Sequence, residues 1–93
     1  MQKYITMFLS SAPKLIEKLT TALSKNDFEE IANQVHGFKT KWIMMGMNES
    51  KDLALIIEQQ CREKEPDLTV KENVLKLIEQ LQIATKELAK PLN

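Results

Sequence analysis

The sequence predicts an all-α protein: an antiparallel up-down four-helix bundle with a short additional N-terminal helix. Three observations predict it. Apolar residues recur at three- and four-residue spacing along the whole chain, the period of a helix face. Only two Gly occur in 93 residues, and the hairpin dipeptides Asn-Gly and Asp-Gly are absent. The breaks between periodic stretches are short, which places consecutive helices antiparallel.

Each element follows in order. Tyr4, Ile5, Phe8 and Leu9 share one face of a short first segment. Ser11-Ala12-Pro13 interrupts it, because Pro is poor inside a helix and well placed in a first turn. A second helix is expected from about Pro13 to Ser24, with Leu15, Ile16, Leu19, Ala22 and Leu23 inward. The first segment is expected to lid one end of the bundle. Lys25-Asn26-Asp27 is a turn. Asn26 with Glu29, or Asp27 with Glu30, has the spacing of a capping box.

The third helix is expected from Asp27 to about Met45, with Phe28, Ile31, Val35, Phe38, Trp42 and Met45 inward. Gly46 is its stop. A fourth runs from about Glu49 to Lys64, carrying Leu53, Ile56, Ile57 and Cys61, and Glu65-Pro66-Asp67 breaks it. Thr69 with Glu72 has capping-box spacing before a last helix of about twenty residues. Val70, Val74, Leu77, Ile78, Leu81, Ala84, Thr85 and Leu88 form its stripe, and Pro91 ends it.

Composition narrows the function. Residues 1–93 are the length of one domain. Lys and Arg number 13, as do Asp and Glu, so the formal net charge is zero. That argues against nucleic-acid binding by bulk charge and against a polybasic membrane anchor. No apolar run approaches the roughly 20 residues of a membrane span. One Cys allows no internal disulfide and no Cys/His cluster offers a zinc site, so a reducing, cytoplasmic compartment is expected.

Few residues here can do chemistry. His36 lies midway along the third helix, about 120° from its inward stripe, and so points outward or sideways. A solvent-facing imidazole is largely neutral at pH 7. Thr40, Ile43, Met44 and Met47 fall within about 100° of arc with it. Three of these are apolar and the inward stripe does not need them, which makes the face a candidate docking surface. Methionines suit such a surface because they repack easily. Lys39 stands at i+3 from His36, where a cation disfavours ring protonation and would stabilise an added phosphoryl group.

These residues resemble the histidine-containing phosphotransfer domain family. The segment is Val35-His36-Gly37-Phe38-Lys39-Thr40-Lys41-Trp42-Ile43-Met44-Met45-Gly46. The family pattern is a His, a Lys three residues on and a Gly ten residues on, which His36, Lys39 and Gly46 match. Phe38 supplies the apolar residue two after the His. The resemblance implies that His36 accepts a phosphoryl group from a receiver-domain aspartyl-phosphate and passes it to another receiver Asp. It implies a phospho-carrier rather than an enzyme, with Lys39 stabilising charge and Thr40, Ile43, Met44 and Met47 docking the partner. Partners would be response-regulator receiver domains or a hybrid sensor histidine kinase, meeting a monomer. No cofactor is expected in this domain, since the receiver brings the Mg²⁺. The chain departs from the family at Thr40, where Gly or another very small residue is usual, and at Ile43 and Met44, where small residues are common. Gly37 is costly in mid-helix.

Two other classes compete. A degenerate domain would dock receivers through the His36 face without chemistry. A small helical enzyme of the chorismate mutase kind needs several cations converging on substrate carboxylates. Arg62 is the sole Arg of the chain, which disfavours that class.

Overall fold

The computed structural model describes residues 2–63 and 68–88, with side chains from Ile5 in the first helix and from Thr69 in the last. It is a helical bundle of four α-helices, with no strand among the described residues: α1 (Gln2–Ser24), α2 (Phe28–Met44), α3 (Asn48–Cys61) and α4 (Leu68–Leu88). Each helix packs against its neighbours in sequence, and α1 also packs against α4, so the four close into a ring.

Among the described residues there is no separate N-terminal helix, which corrects the expectation of a break at Pro13. α1 runs unbroken through Pro13. An interior Pro costs about 3 kcal/mol or more by removing a hydrogen bond and crowding the carbonyl four residues back. Pro13 is exposed, and the residues that decide the matter lie on the opposite face. Phe8, Ala12, Leu15, Leu19 and Ala22 are buried at spacings of four, three, four and three, one continuous helical stripe. Burying a large apolar side chain contributes about 1.5–3 kcal/mol, so Phe8 and Leu19 together offset the proline. Phe8 therefore packs edge-on against Phe38 of α2, centroids 5.7 Å apart, instead of lidding the bundle end.

Two turns share one device. After α1, Asn26 takes φ +54, and Asp27 N–H donates to Ala22 C=O at 2.8 Å. After α2, Gly46 takes φ +71, and Met47 N–H donates to Trp42 C=O at 2.9 Å. Both are left-handed stops in which the residue beyond reaches back across the last turn. Asp27 then caps α2 by accepting from Glu30 N–H at 3.2 Å. Glu30 does not complete the box; its carboxylate bonds Gln34 instead.

The core is Ile31, Val35, Phe38 and Trp42 from α2, Ala54, Ile57 and Cys61 from α3, and Val70, Val74, Leu77 and Leu81 from α4, against the α1 stripe. Phe38 and Trp42 meet edge-to-face at 4.8 Å. Burial pushes the Cys61 thiol up to about 11, with the Arg62 charge opposing, so it behaves as a small hydrophobe. Two side-chain bonds join α3 to α4: Ser50 to Gln80 at 2.8 Å and Asn73 to Gln60 at 2.9 Å.

Three further expectations change. Ile56 is half-exposed, because Ile57 takes the inward position beside it. α3 ends at Cys61, earlier than Lys64, with Arg62 as its cap. Thr69 falls inside the first turn of α4, since the helix already begins at Leu68. The Glu65-Pro66-Asp67 break and the Pro91 stop lie outside the described residues.

The two glycines should respond in opposite directions. A Cβ at Gly37 meets nothing within 4 Å, so Gly37→Ala is expected to raise stability by about 0.5–1 kcal/mol. Gly46→Ala is expected to lower it by about 1 kcal/mol, because a Cβ is strained at positive φ. Urea titration of both variants checks this. Equal shifts for the two would contradict the assigned backbone roles.

Candidate functional site

His36 stands midway along α2 with 61% of its side chain exposed. The helix sets this direction: Val35 is buried, and the next residue is rotated by about 100°. The ring's Nδ1 lies 2.7 Å from Oε1 of Glu58 on α3. With Nδ1–H donating to that carboxylate, the lone pair resides on Nε2, on the ring edge remote from the backbone. Nε2 makes no hydrogen bond among the described residues.

The turn at Gly46–Met47 brings the two residues together. Met47 is both the residue that closes α2 and the N-cap of α3. His36 precedes it by eleven residues and Glu58 follows it by eleven. Residues equidistant from a tight turn between two packed helices come level with each other.

Glu58 is held from two sides. Its side chain is only 15% exposed, and the same Oε1 also receives Arg62 Nη2 at 3.2 Å, from the next turn of α3. Burial acts to raise the Glu58 carboxyl. Hydrogen bonds from Arg62 and His36 outweigh it, with the Arg62 charge and, when the ring is protonated, the His36 charge adding to them, and hold the carboxyl below its ordinary value.

The other residues singled out in the sequence occupy the following positions. Thr40, Ile43 and Met44 are exposed on α2, the last two by 55% and 51%. Lys39 is half-buried one turn from His36 and forms no ion pair among the described residues. Met47 is drawn partly against the core, away from a fully open face. Gly46 is the stop of α2. Lys41 lies elsewhere, its Nζ 5.3 Å over the Phe38 ring.

Three residues of this face escaped the sequence. Glu58 and Arg62 show an i,i+4 acid–base spacing, but their relation to His36 depends on how α3 pairs with α2. Leu55, 40% exposed one turn before Glu58, adds apolar surface to α3 for the same reason. Among the described residues, no group of three or more His, Cys, Asp or Glu could hold a metal. No described helix is long and apolar enough to cross a membrane.

In comparison with models of protein families, the Hpt domain model matches residues 3–89, nearly the whole chain. Comparison with curated proteins and with solved structures gives no match.

The lowered Glu58 carboxyl has a stability consequence. A carboxyl depressed in the folded state contributes stability above its unfolded value, lost as pH falls through its folded value. The stability gap between wild type and Glu58→Gln should therefore be widest near neutral pH and close on acidification. Urea titrations from roughly pH 3 to 7 span that range. A gap independent of pH would show that the ionised carboxylate is not what matters.

Proposed function

The chain belongs to the Hpt domain family, phosphocarrier modules of two-component signalling, and we propose that His36 is the residue that carries the phosphoryl group. The observation that carries this reading is the polarised ring: Nδ1 tied to Glu58, and the opposite edge open on a side chain 61% exposed. In this reading the chain is one up-down antiparallel domain. The pairing of Ser50 with Gln80, and of Gln60 with Asn73, supports that course for α3 and α4.

The reaction is an in-line exchange. The Nε2 lone pair forms the N–P bond while the P–O bond to a receiver aspartate breaks, and the electron pair of that bond leaves on the carboxylate. No proton need move, because Nδ1 keeps its hydrogen. The phosphorylated ring then bears a positive charge, and Glu58 stands against it as counter-ion. Return to a second receiver reverses these steps. Such transfers depend on positioning and on stabilising spread charge. The receiver supplies Mg²⁺ and most of the catalytic groups. Lys39 supplies local positive charge toward the phosphoryl oxygens.

Thr40, Ile43, Met44, Met47 and Leu55 form the docking surface around the ring. The exposure of Ile43 and Met44 supports this, since an apolar collar around a reactive group excludes water when a partner closes on it. The domain acts in the cytoplasm as a monomer, between receivers or between a hybrid kinase and a receiver.

The test is transfer from a receiver charged beforehand on its Asp, read by intact mass and by acid and base lability. One phosphoryl group, lost in acid and kept in base, is expected on the wild type and not on His36→Gln. Circular dichroism of His36→Gln should be unchanged, because the side chain is exposed. Binding of several charged receivers without transfer would make the domain a docking module instead. Lys39→Ala is expected to slow transfer or shorten the phosphohistidine lifetime about three- to tenfold, the loss of one partly screened charge contact. Unchanged rate and lifetime would remove Lys39 from the site.

A further inference from the structure

One oxygen of Glu58 serves two donors, His36 Nδ1 at 2.7 Å and Arg62 Nη2 at 3.2 Å. The two donors draw the site toward different states. A carboxylate alone at hydrogen-bond distance favours the imidazolium form of a histidine. An imidazolium carries a hydrogen on both nitrogens and has no lone pair, so it cannot accept a phosphoryl group. A guanidinium is charged at every accessible pH. Placed on the same oxygen, it takes up part of the carboxylate's charge and repels a second proton on the ring. The spacing suits the pair, since an acid four residues before a base on a helix is the favoured order. With the Arg62 side chain 61% exposed, the pair counts for little as a stabilising contact.

We propose that Arg62 is a positioning residue for His36. Acting through the shared Glu58 oxygen, it keeps the ring uncharged, with Nδ1–H bonded and the Nε2 lone pair available. The proposal rests on the carrier reading for its consequence in transfer, but its action on the ring is a property of the unphosphorylated chain. Lys39 on α2 stands one turn from the ring, and Lys14 and Lys18 of α1 with Lys41 of α2 line a separate groove beyond Gly37. These stay constant when Arg62 alone is changed.

The experiment has two readouts on the whole chain. One is the titration of the His36 ring followed by NMR of its C–H signals. The other is the rate of phosphorylation by a charged receiver between roughly pH 5.5 and 8.5, a range that brackets an ordinary histidine. In Arg62→Gln the ring titration is expected to move to higher pH by about half a unit, a fraction of the one to three units that a fully unshared neighbouring charge can produce. The acid limb of the rate profile moves with it, a loss of about threefold on that limb. Arg62→Lys, which keeps the charge, restores most of the wild-type behaviour. In a Glu58→Gln background, Arg62→Gln should move the titration less. An unmoved titration in Arg62→Gln, with helicity intact, overturns the proposal whatever the rates. So does a full shift that persists without the Glu58 carboxylate, because Arg62 would then act on the ring directly. A shift seen as expected in a chain that no receiver phosphorylates upholds the action of Arg62 and overturns the carrier reading instead.

Discussion

The constraint on which the site depends is the left-handed turn at Gly46. A chain reversal completed in so few residues leaves α2 and α3 no freedom to slide past each other. Gly46 at φ +71 lets the Met47 N–H reach back to Trp42, and Met47 at once begins the next helix. The register is then counted outward from the turn, and it delivers a carboxylate from α3 to a histidine on α2. A residue more or fewer in the link would rotate α3 by about 100° and carry Glu58 off the ring. A backbone dihedral ten residues away thus sets the surroundings of His36.

The division of labour between faces explains how so small a domain can hold a functional site. The inward stripes of all four helices are used for packing, and nothing in the interior is spared for catalysis. The cluster of His36, Glu58 and Arg62 sits at one seam, between α2 and α3. In the proposed reading such a domain presents a group and orients it, and the chemistry of activation belongs to the molecule that docks. The half-buried seam partner, Glu58, holds the ring nearer a single orientation, and that order exists before any encounter. Side-chain entropy that would otherwise be lost on docking is lost on folding.

Much of the fold was legible because helical periodicity is a local property. The inward stripes of α2 and α4 and the stop at Gly46 follow from spacing and residue type alone, whereas spacing leaves Asn26 and Asp27 both open as the cap of α2 and the structure selects Asp27. The outward direction of His36 follows from the same counting. Pro13 was misread because local propensity argues for a break, whereas the buried stripe from Phe8 to Ala22 spans it. Ile56 and Ile57 are not ranked by periodicity alone, and the pairing of α3 with its neighbours buries Ile57 and leaves Ile56 half-exposed. Glu58 and Arg62 were not legible as parts of the site at all. Their role is a relation between two helices, and a one-dimensional pattern does not carry that relation.

The lone Trp42 has a practical bearing. It is fully buried and stacked edge-on with Phe38, a little under two turns from His36. Its fluorescence therefore senses the tightness of the core and not the water at the surface. Loosening of the bundle will change its emission, whereas a partner on the face proposed for docking would not touch the buried ring. The molecule carries an optical gauge of its own integrity that is largely deaf to its encounters, so folding can be monitored during a binding experiment without the two signals mixing.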